Sequence, residues 1–232
     1  MSLSLRLDCK EHVTLPLSLR RIAVLASGSG TNLQALLDAI ACGTLDAEVV
    51  VVVSDRAGAG ALQRAAAAGV PAVSLPLSDR HDPVVRRAYD RRLAGVLRAF
   101  EPDLIVLAGW MLILTAEFLD GFPEQIVNVH PALLPDDGGI EVLTSHGCLP
   151  ALRGSRAVRD ALRQRLPATG ATVHYVTTTV DSGPVILREE VLVLPDDDEI
   201  RLHERIKAVE HRLLPRAVAM ALVGDSMSHR EG

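Results

Sequence analysis

Asn128 and His130 flank one valine at the end of an apolar run, Gln125–Val129, in the string Asn128-Val-His130-Pro131. On a strand, residues two apart point to the same side. A carboxamide and an imidazole would then face one space at the carboxyl end of a strand, where open α/β sheets bind ligands. An amide donor beside a protonatable ring can stabilise the oxyanion of a tetrahedral intermediate. Asp181, in Val180-Asp-Ser-Gly-Pro184, could hold His130 charged by raising its pKa. The competing reading is structural: an asparagine capping a loop, and a buried histidine bonded to backbone. The chain has no Ser or Cys nucleophile elbow, which weighs against a hydrolase.

A second group of residues suits an anion. Ser27-Gly-Ser-Gly-Thr-Asn32 follows an apolar run and precedes Leu33, Leu36, Leu37 and Ile40 at helical spacing. Glycines let backbone approach a phosphate, and a helix start offers unpaired N–H groups. Thr31 and Asn32 add side-chain donors. The plain alternative is a strand-to-helix turn capped by Thr or Asn. A dinucleotide site competes, with Asp55 near the end of the next strand. However, Leu33 stands where GxGxxG needs its last glycine, and the GxxxxGK[ST] pattern is also unmet. A phosphate monoester fits better.

The elements that must position these groups alternate. Strands are expected at Arg21–Ala26, Glu48–Val53, Ala72–Leu75, Leu104–Ala108 and Gln125–Val129, with helices from Leu33, at Gly58–Ala68, Asp82–Phe100 and Thr115–Leu119. Such alternation implies βαβ units and a parallel sheet. Pro135–Gly154, dense in Asp, Gly and Pro, reads as a long loop, and loops of that length are often functional. A helix over Gly154–Leu166 and strands at Ala171–Val176 and Val185–Val193 follow. The link Thr177–Pro184 is too short for a crossover helix, so these strands should pair antiparallel. Glu199–Leu222 closes the chain as an amphipathic helix containing Pro215, and Asp196-Asp197-Asp198 forms its solvated entry. The expected fold is an open, twisted, mostly parallel α/β sheet with helices on both faces and an antiparallel C-terminal portion.

Composition agrees. Of 232 residues, 48% are hydrophobic but only 3% aromatic, so the core must be Val, Leu, Ile and Ala, the palette of parallel strands covered on both faces. A net charge of −5 argues against a nucleic-acid partner. Apolar stretches such as Leu104–Leu114 are too short to cross a bilayer. Cys9, Cys42 and Cys148 form no CxxC pair, which points to free buried thiols in a reducing cytoplasm. Residues 1–20 read as a flexible extension rather than a signal peptide.

Three strings occur in order: Ser27–Asn32, Asn128-Val-His-Pro-Ala-Leu-Leu-Pro135, and Thr172-Val-His-Tyr-Val-Thr followed by Val180-Asp-Ser-Gly-Pro-Val-Ile186. From about Arg21 to Val223 the chain resembles the glycinamide ribonucleotide formyltransferase family. The resemblance implies formyl transfer from 10-formyltetrahydrofolate to the amine of glycinamide ribonucleotide, a step of purine synthesis. It implies Asn128, His130 and Asp181 as catalytic groups. Gly30, Thr31, Asn32 and the helical segment Lys207, Ala208, Val209 and Glu210 would bind the ribonucleotide. Met111, Leu112, Ile113 and Leu114, with Thr177, Thr178, Thr179, Val180, Asp181, Asn128 and Arg86, would bind the folate. Thr172 and His174 would support the catalytic groups. No metal is implied, nor any nucleic-acid or membrane partner, and the assembly would be a monomer or homodimer. A single domain is expected over 21–225, its N-terminal half binding the phosphoribosyl substrate and its C-terminal half carrying folate and catalytic elements, with a tail at 226–232.

Three departures stand out. Leu112 replaces the family's usual basic residue, Ser54-Asp55 replaces Ser-Asn, and the loop after Pro135 is longer and differently composed. That loop is expected to be a flap that orders when substrate binds. The alternatives are a methionyl-tRNA formyltransferase, which usually carries an extra C-terminal domain, a formyltetrahydrofolate hydrolase, which usually carries an N-terminal regulatory one, and a non-catalytic nucleotide-binding module.

Overall fold

A computed structural model describes residues 19–228. Strands β1 (Arg20–Leu25), β2 (Ala47–Ser54), β3 (Ala72–Ser74), β4 (Leu104–Leu107) and β5 (Ile126–His130) are joined through helices α1 (Thr31–Ala41), α2 (Gly60–Ala67), α3 (Pro83–Ala99) and α4 (Ala116–Asp120). A hairpin of β6 (Glu141–Thr144) and β7 (Gly147–Pro150) follows, then α5 (Ala157–Arg163), β8 (Ala168–Tyr175), β9 (Val185–Leu192) and α6 (Glu199–Ser228). The main sheet has the order β3-β2-β1-β4-β5-β8-β9. Its first five strands run parallel, and β8 and β9 pair antiparallel.

Strand alternation divides the core into two layers. Ile22 and Val24 face a cluster with Leu33 and Leu36 of α1 and Leu202, Ile206, Leu213 and Leu214 of α6. Ala23 and Leu25 face the opposite cluster, with Tyr89, Leu93 and Leu97 of α3 and Phe118 of α4. A strand covered on both sides cannot alternate with polar residues, which is why β2 reads Ala-Glu-Val-Val-Val-Val-Val-Ser. Each fully buried Val or Leu contributes roughly 1.5–3 kcal/mol. The start of α3 is set by Asp82, whose carboxylate accepts from the Val84 and Val85 N–H groups at 2.7 and 3.3 Å, with Pro83 in the first turn.

Several expectations change. The expected loop Pro135–Gly154 contains the β6–β7 hairpin, turned through Ser145 and His146 and paired from Glu141↔Pro150 to Thr144↔Gly147. Each strand buries a single apolar residue, Val142 or Leu149, against Leu133 and Ala168, so no period is visible in the sequence. The helix expected over Gly154–Leu166 is only Ala157–Arg163, and β8 begins at Ala168 rather than Ala171. Helix α6 runs on through Pro215 to Ser228, past the expected helix end at Leu222. Arg20 already belongs to β1, and residues 1–18 and 229–232 lie outside the described part. Cys42 and Cys148 are exposed, not buried, and Cys9 is outside the described residues. Asp197 is not solvated, because its carboxylate is 4% exposed and pairs with Arg205. Among the described residues no helix is long and apolar enough to cross a membrane.

The hairpin is held at several points. Ser145 bonds Glu190 of β9 through its N–H, at 2.8 Å, and its hydroxyl, at 2.5 Å. Arg188 pairs with Asp136 at 2.9 Å. A clamped hairpin with its own apolar contacts opens rarely. Limited proteolysis of the ligand-free protein should therefore leave 136–154 uncut. Rapid cleavage in that segment, suppressed by substrates, would restore the expected flap.

Candidate active site

The sheet order reverses between β1 and β4, and ligands of such sheets bind in the crevice at the carboxyl ends of the strands there. A cavity of about 450 Å³ opens at that place, lined by turns after β1, β4 and β5 and by α5, α6 and the β8–β9 link. The first two turns are bonded together. Ser27 donates its N–H to the Gly109 carbonyl at 3.1 Å, and its hydroxyl accepts from Met111 N–H at 3.0 Å.

One wall suits an anion. Gly30 is the N-cap of α1 at φ +76°, with no side-chain cap bond, so Thr31 and Asn32 do not cap the helix as the plain reading required. A Cβ on Gly30 would lie 2.6 Å from Ala61 Cα. Only glycine therefore meets both the left-handed backbone and the approach of α2. Asn32 instead donates from Nδ2 to Glu210 Oε2 at 2.9 Å, deep in the cavity wall, while its Oδ1 is buried without a hydrogen-bond partner. Burial pushes the Glu210 carboxyl above its ordinary value, opposed by the Asn32 bond and by the charge of Lys207. Glu199, His203, Lys207 and Glu210 line the cavity from one face of α6, as helical spacing requires. Within the expected segment Lys207–Glu210, Ala208 is exposed and Val209 is in the core, so neither lines the cavity.

The opposite wall carries the polar groups of β5 and β8. The register sets Asn128 against His174 and His130 against Thr172, so all four share one face, while Val127, Val129, Ala171 and Val173 enter the core on the other. His174 Nδ1 lies 2.8 Å from the Tyr175 carbonyl, which places a proton there. Its Nε2 is 3.2 Å from Asn128 Nδ2 and 3.6 Å from Asp181 Oδ1. Unprotonated, Nε2 accepts one Asn128 amide hydrogen and leaves the other for a ligand. Thr172 is fully buried and bonds Leu134 N–H and the Ala132 carbonyl, tying β8 to the turn after His130.

Asp181 arrives on the β8–β9 link. That link closes tightly because Gly183 lies against the Tyr175 carbonyl, where any Cβ would collide. Asp181 itself has φ +51°, uncommon for a residue with a side chain. Its Oδ2 accepts from Gly154 N–H at 2.7 Å and lies 3.5 Å from His130 Nδ1. Burial alone would raise this carboxyl, but His174, His130 and the Gly154 N–H outweigh burial and hold it at about 2. Asp181 raises the proton affinity of His130, as expected, but a larger effect opposes it. Burial pulls the imidazole below its ordinary value, and Asp181 and the Leu152 carbonyl only partly restore it. His130 Nε2 lies 2.7 Å from that carbonyl, which sets the neutral ring's proton on Nε2 and leaves Nδ1 as an acceptor facing Asp181.

The cavity thus brings together Gly30, Thr31, Asn32, Met111, Leu112, Ile113, Leu114, Asn128, His130, His174, Thr177, Val180, Asp181, Lys207 and Glu210. Thr178 and Thr179 are exposed beside it without lining it. Arg86 does not line it either. Its guanidinium pairs with Asp90 at 3.1 Å, lies 5.6 Å from the Tyr89 ring centroid, and donates to the Ile113 carbonyl, bracing the 111–114 turn from outside. Sequence reasoning assigned no role to Trp110, Arg153, Arg156, Arg159 or His203. All but Arg153 line the cavity, and Arg153 contacts Asp181. His203 alone carried a clue, standing one helical turn before Lys207.

An open α/β sheet with an anion-accepting helix start facing a carboxamide, an imidazole and a carboxylate defines the class: an enzyme of the Rossmann-related group-transfer kind. A family model described as formyl transferase matches residues 20–218. The chain is 44% identical to phosphoribosylglycinamide formyltransferase of Mycobacterium tuberculosis, over 86% of this chain and 83% of that one. It is 40% identical to the trifunctional purine biosynthetic protein adenosine-3 of Drosophila melanogaster, over 90% of this chain but only 14% of that much longer relative. Glycinamide ribonucleotide transformylase 1 of Symbiobacterium toebii superposes with a TM-score of 0.78 at 41% identity, covering 89% of each chain. The enzyme of the same name from Geobacillus kaustophilus gives 0.76 at 38%, covering 88% of this chain and 99% of that one. The chain belongs to the formyl transferase family.

Asp181 makes an acid-sensitive contribution to stability. Its folded pKa lies below the unfolded value, so the contribution is complete above about pH 4 and disappears as pH falls through about 2. The size is about 2 kcal/mol. Urea denaturation should show wild type more stable than Asp181→Asn at pH 6, with the gap closing towards pH 2.5. A gap independent of pH would refute the ionised, paired carboxylate.

Proposed function

We propose that this chain transfers the formyl group of 10-formyltetrahydrofolate to the amine of glycinamide ribonucleotide, with Asn128, His130 and Asp181 as its catalytic groups. The observation that carries the reading is their convergence in one cavity with the uncapped start of α1. The phosphate would sit on the N–H groups at Gly30, Thr31 and Asn32, and Lys207 and Glu210 would meet the rest of the ribonucleotide. The backbone of Met111–Leu114 and the segment Val176–Asp181 would hold the folate, with Arg86 supporting the former from behind.

In this reading the amine forms a bond to the formyl carbon, and the free amide hydrogen of Asn128 binds the resulting oxyanion. His130 Nδ1, neutral and facing Asp181, takes the proton that the attacking amine must lose. The imidazolium so formed is stabilised by the carboxylate and in turn stabilises the oxyanion. As the carbon–nitrogen bond to the folate breaks, the proton passes to the departing nitrogen. His174 orients Asn128, and Thr172 holds the turn that carries His130. The cytoplasm suits the unpaired thiols Cys42 and Cys148. Every residue assigned here comes from one chain, which suits either a monomer or a homodimer of independent sites.

The test is a formyl-transfer assay with glycinamide ribonucleotide, tRNA and water as rival acceptors. Transfer to the ribonucleotide alone is expected, and transfer to tRNA or hydrolysis alone would reject the assignment. Asn128→Ala should lower kcat by about 100-fold or more, the usual cost of losing an oxyanion donor, and Asp181→Asn by a similar factor, each with intact folding. Wild-type turnover in either variant would refute its role. Because neutral His130 is the proton acceptor, kcat/KM should fall as pH drops through an ionisation below 6.5. A limb at or above 6.5 would contradict a burial-depressed imidazole.

A further inference from the structure

Arg153 lies in the segment where the chain departs from its expected pattern, between the hairpin and α5. Its side chain bridges three backbone carbonyls. Nε donates to Asp181 O at 3.0 Å, and Nη2 donates to Gly138 O at 3.0 Å and Gly139 O at 2.5 Å. The next residue, Gly154, donates its N–H to the Asp181 carboxylate at 2.7 Å, and the preceding residue, Leu152, offers its carbonyl to His130 Nε2 at 2.7 Å. Three consecutive residues therefore grip both members of the His130–Asp181 pair. Gly138 is also packed on the same link, where a Cβ would lie 2.9 Å from the Ser182 carbonyl.

We propose that Arg153 is a positioning residue of this active site: by tying the Asp181 carbonyl to the base of the β6–β7 hairpin, it holds Asp181 in its left-handed conformation and makes the hairpin a brace for the catalytic carboxylate. This rests on the function proposed above. At φ +51° Asp181 occupies a sparsely populated backbone region, which persists only where its surroundings over-determine it. A planar guanidinium spans several fixed acceptors at once, and a lysine ammonium does so poorly. The hairpin end of the brace is itself anchored, through Ser145 to Glu190 and through Val142 and Leu149 to Leu133 and Ala168. The bonds go to the backbone of Asp181, so they orient the carboxylate without neutralising it.

The test compares Arg153→Ala, Arg153→Lys and wild type by steady-state kinetics, thermal unfolding and ring-nitrogen NMR of the histidines. Arg153→Ala should lower kcat at least tenfold while the KM for both substrates stays within threefold. Added guanidinium ion at millimolar concentration should restore part of the loss, and Arg153→Lys should recover less than a tenth of wild-type kcat. NMR reads the site without turnover. The groups facing His130 are Asp181, His174 and Arg153, and Arg153→Lys, which keeps the charge but loses the grip, should move the His130 titration to lower pH as Asp181 is released from it. If Arg153→Ala does not fold, the Lys variant carries the same kinetic comparison. A kcat within twofold of wild type in either variant, a loss confined to KM, or an unmoved His130 titration would overturn the proposal. Absence of formyl transfer by wild type, with the His130 titration still dependent on Arg153, would instead reject the assigned reaction and leave the brace standing.

Discussion

The antiparallel pairing of β5 with β8 governs everything polar in the cavity. Four parallel neighbours would have delivered Asn128 and His130 to the carboxyl end of the sheet, but their partners would have come from a helix-linked strand running the same way. By running back along β5, β8 sets His174 opposite Asn128 and Thr172 opposite His130. Its end, at Tyr175 opposite Val127, lies toward the amino end of β5, and the short link that follows turns back across the sheet face to bring Asp181 beside His130. The face opposite these groups is valine and alanine in a closed core. A shift of β8 by one residue would turn Thr172 and His174 into that core, so a large apolar penalty protects the geometry of the site.

The electrostatics follow from depth. His130 and His174 are almost fully buried, and Asp181 nearly so. In such a place an imidazole tends to lose its proton and a carboxylate keeps its charge only if surrounded by donors. Asp181 has the Gly154 N–H and, in the acid range where it titrates, the positive charge of the neighbouring imidazoles, and it stays ionised. His130 has one carbonyl and one carboxylate, which do not compensate its desolvation. The resting site is an ionised acid beside a neutral base, poised to gain a proton. Across the cavity Glu210 shows the contrasting case, a carboxyl with one amide donor whose affinity for protons rises on burial.

Much of this was legible in the order of residues. The strand–turn–helix beginning at Arg20, the pairing of β8 with β9 across a link too short for a helix, and the meeting of Asn128 with His130 follow from period and spacing alone, because strand alternation and loop length leave few choices. The hairpin Glu141–Pro150 was not legible, since two apolar residues turned inward make no repeat. Nor was the true cap of α1. Thr31 and Asn32 are good capping types, yet Asn32 is drawn instead to Glu210, 178 residues further along the chain.

The amino-acid sequence by itself determined the element types, the mostly parallel sheet and the set of groups able to do acyl chemistry, because these depend on side-chain period and chemical identity. Tertiary structure decided what those groups are when they meet. The neutrality of His130, the low pKa of Asp181, the turning of Arg86 away from the cavity and the grip of Arg153 on the β8–β9 link all depend on burial and on partners distant along the chain. Local pattern carries no record of solvent exclusion, and it is exclusion of water that sets the strength and sign of each of these effects.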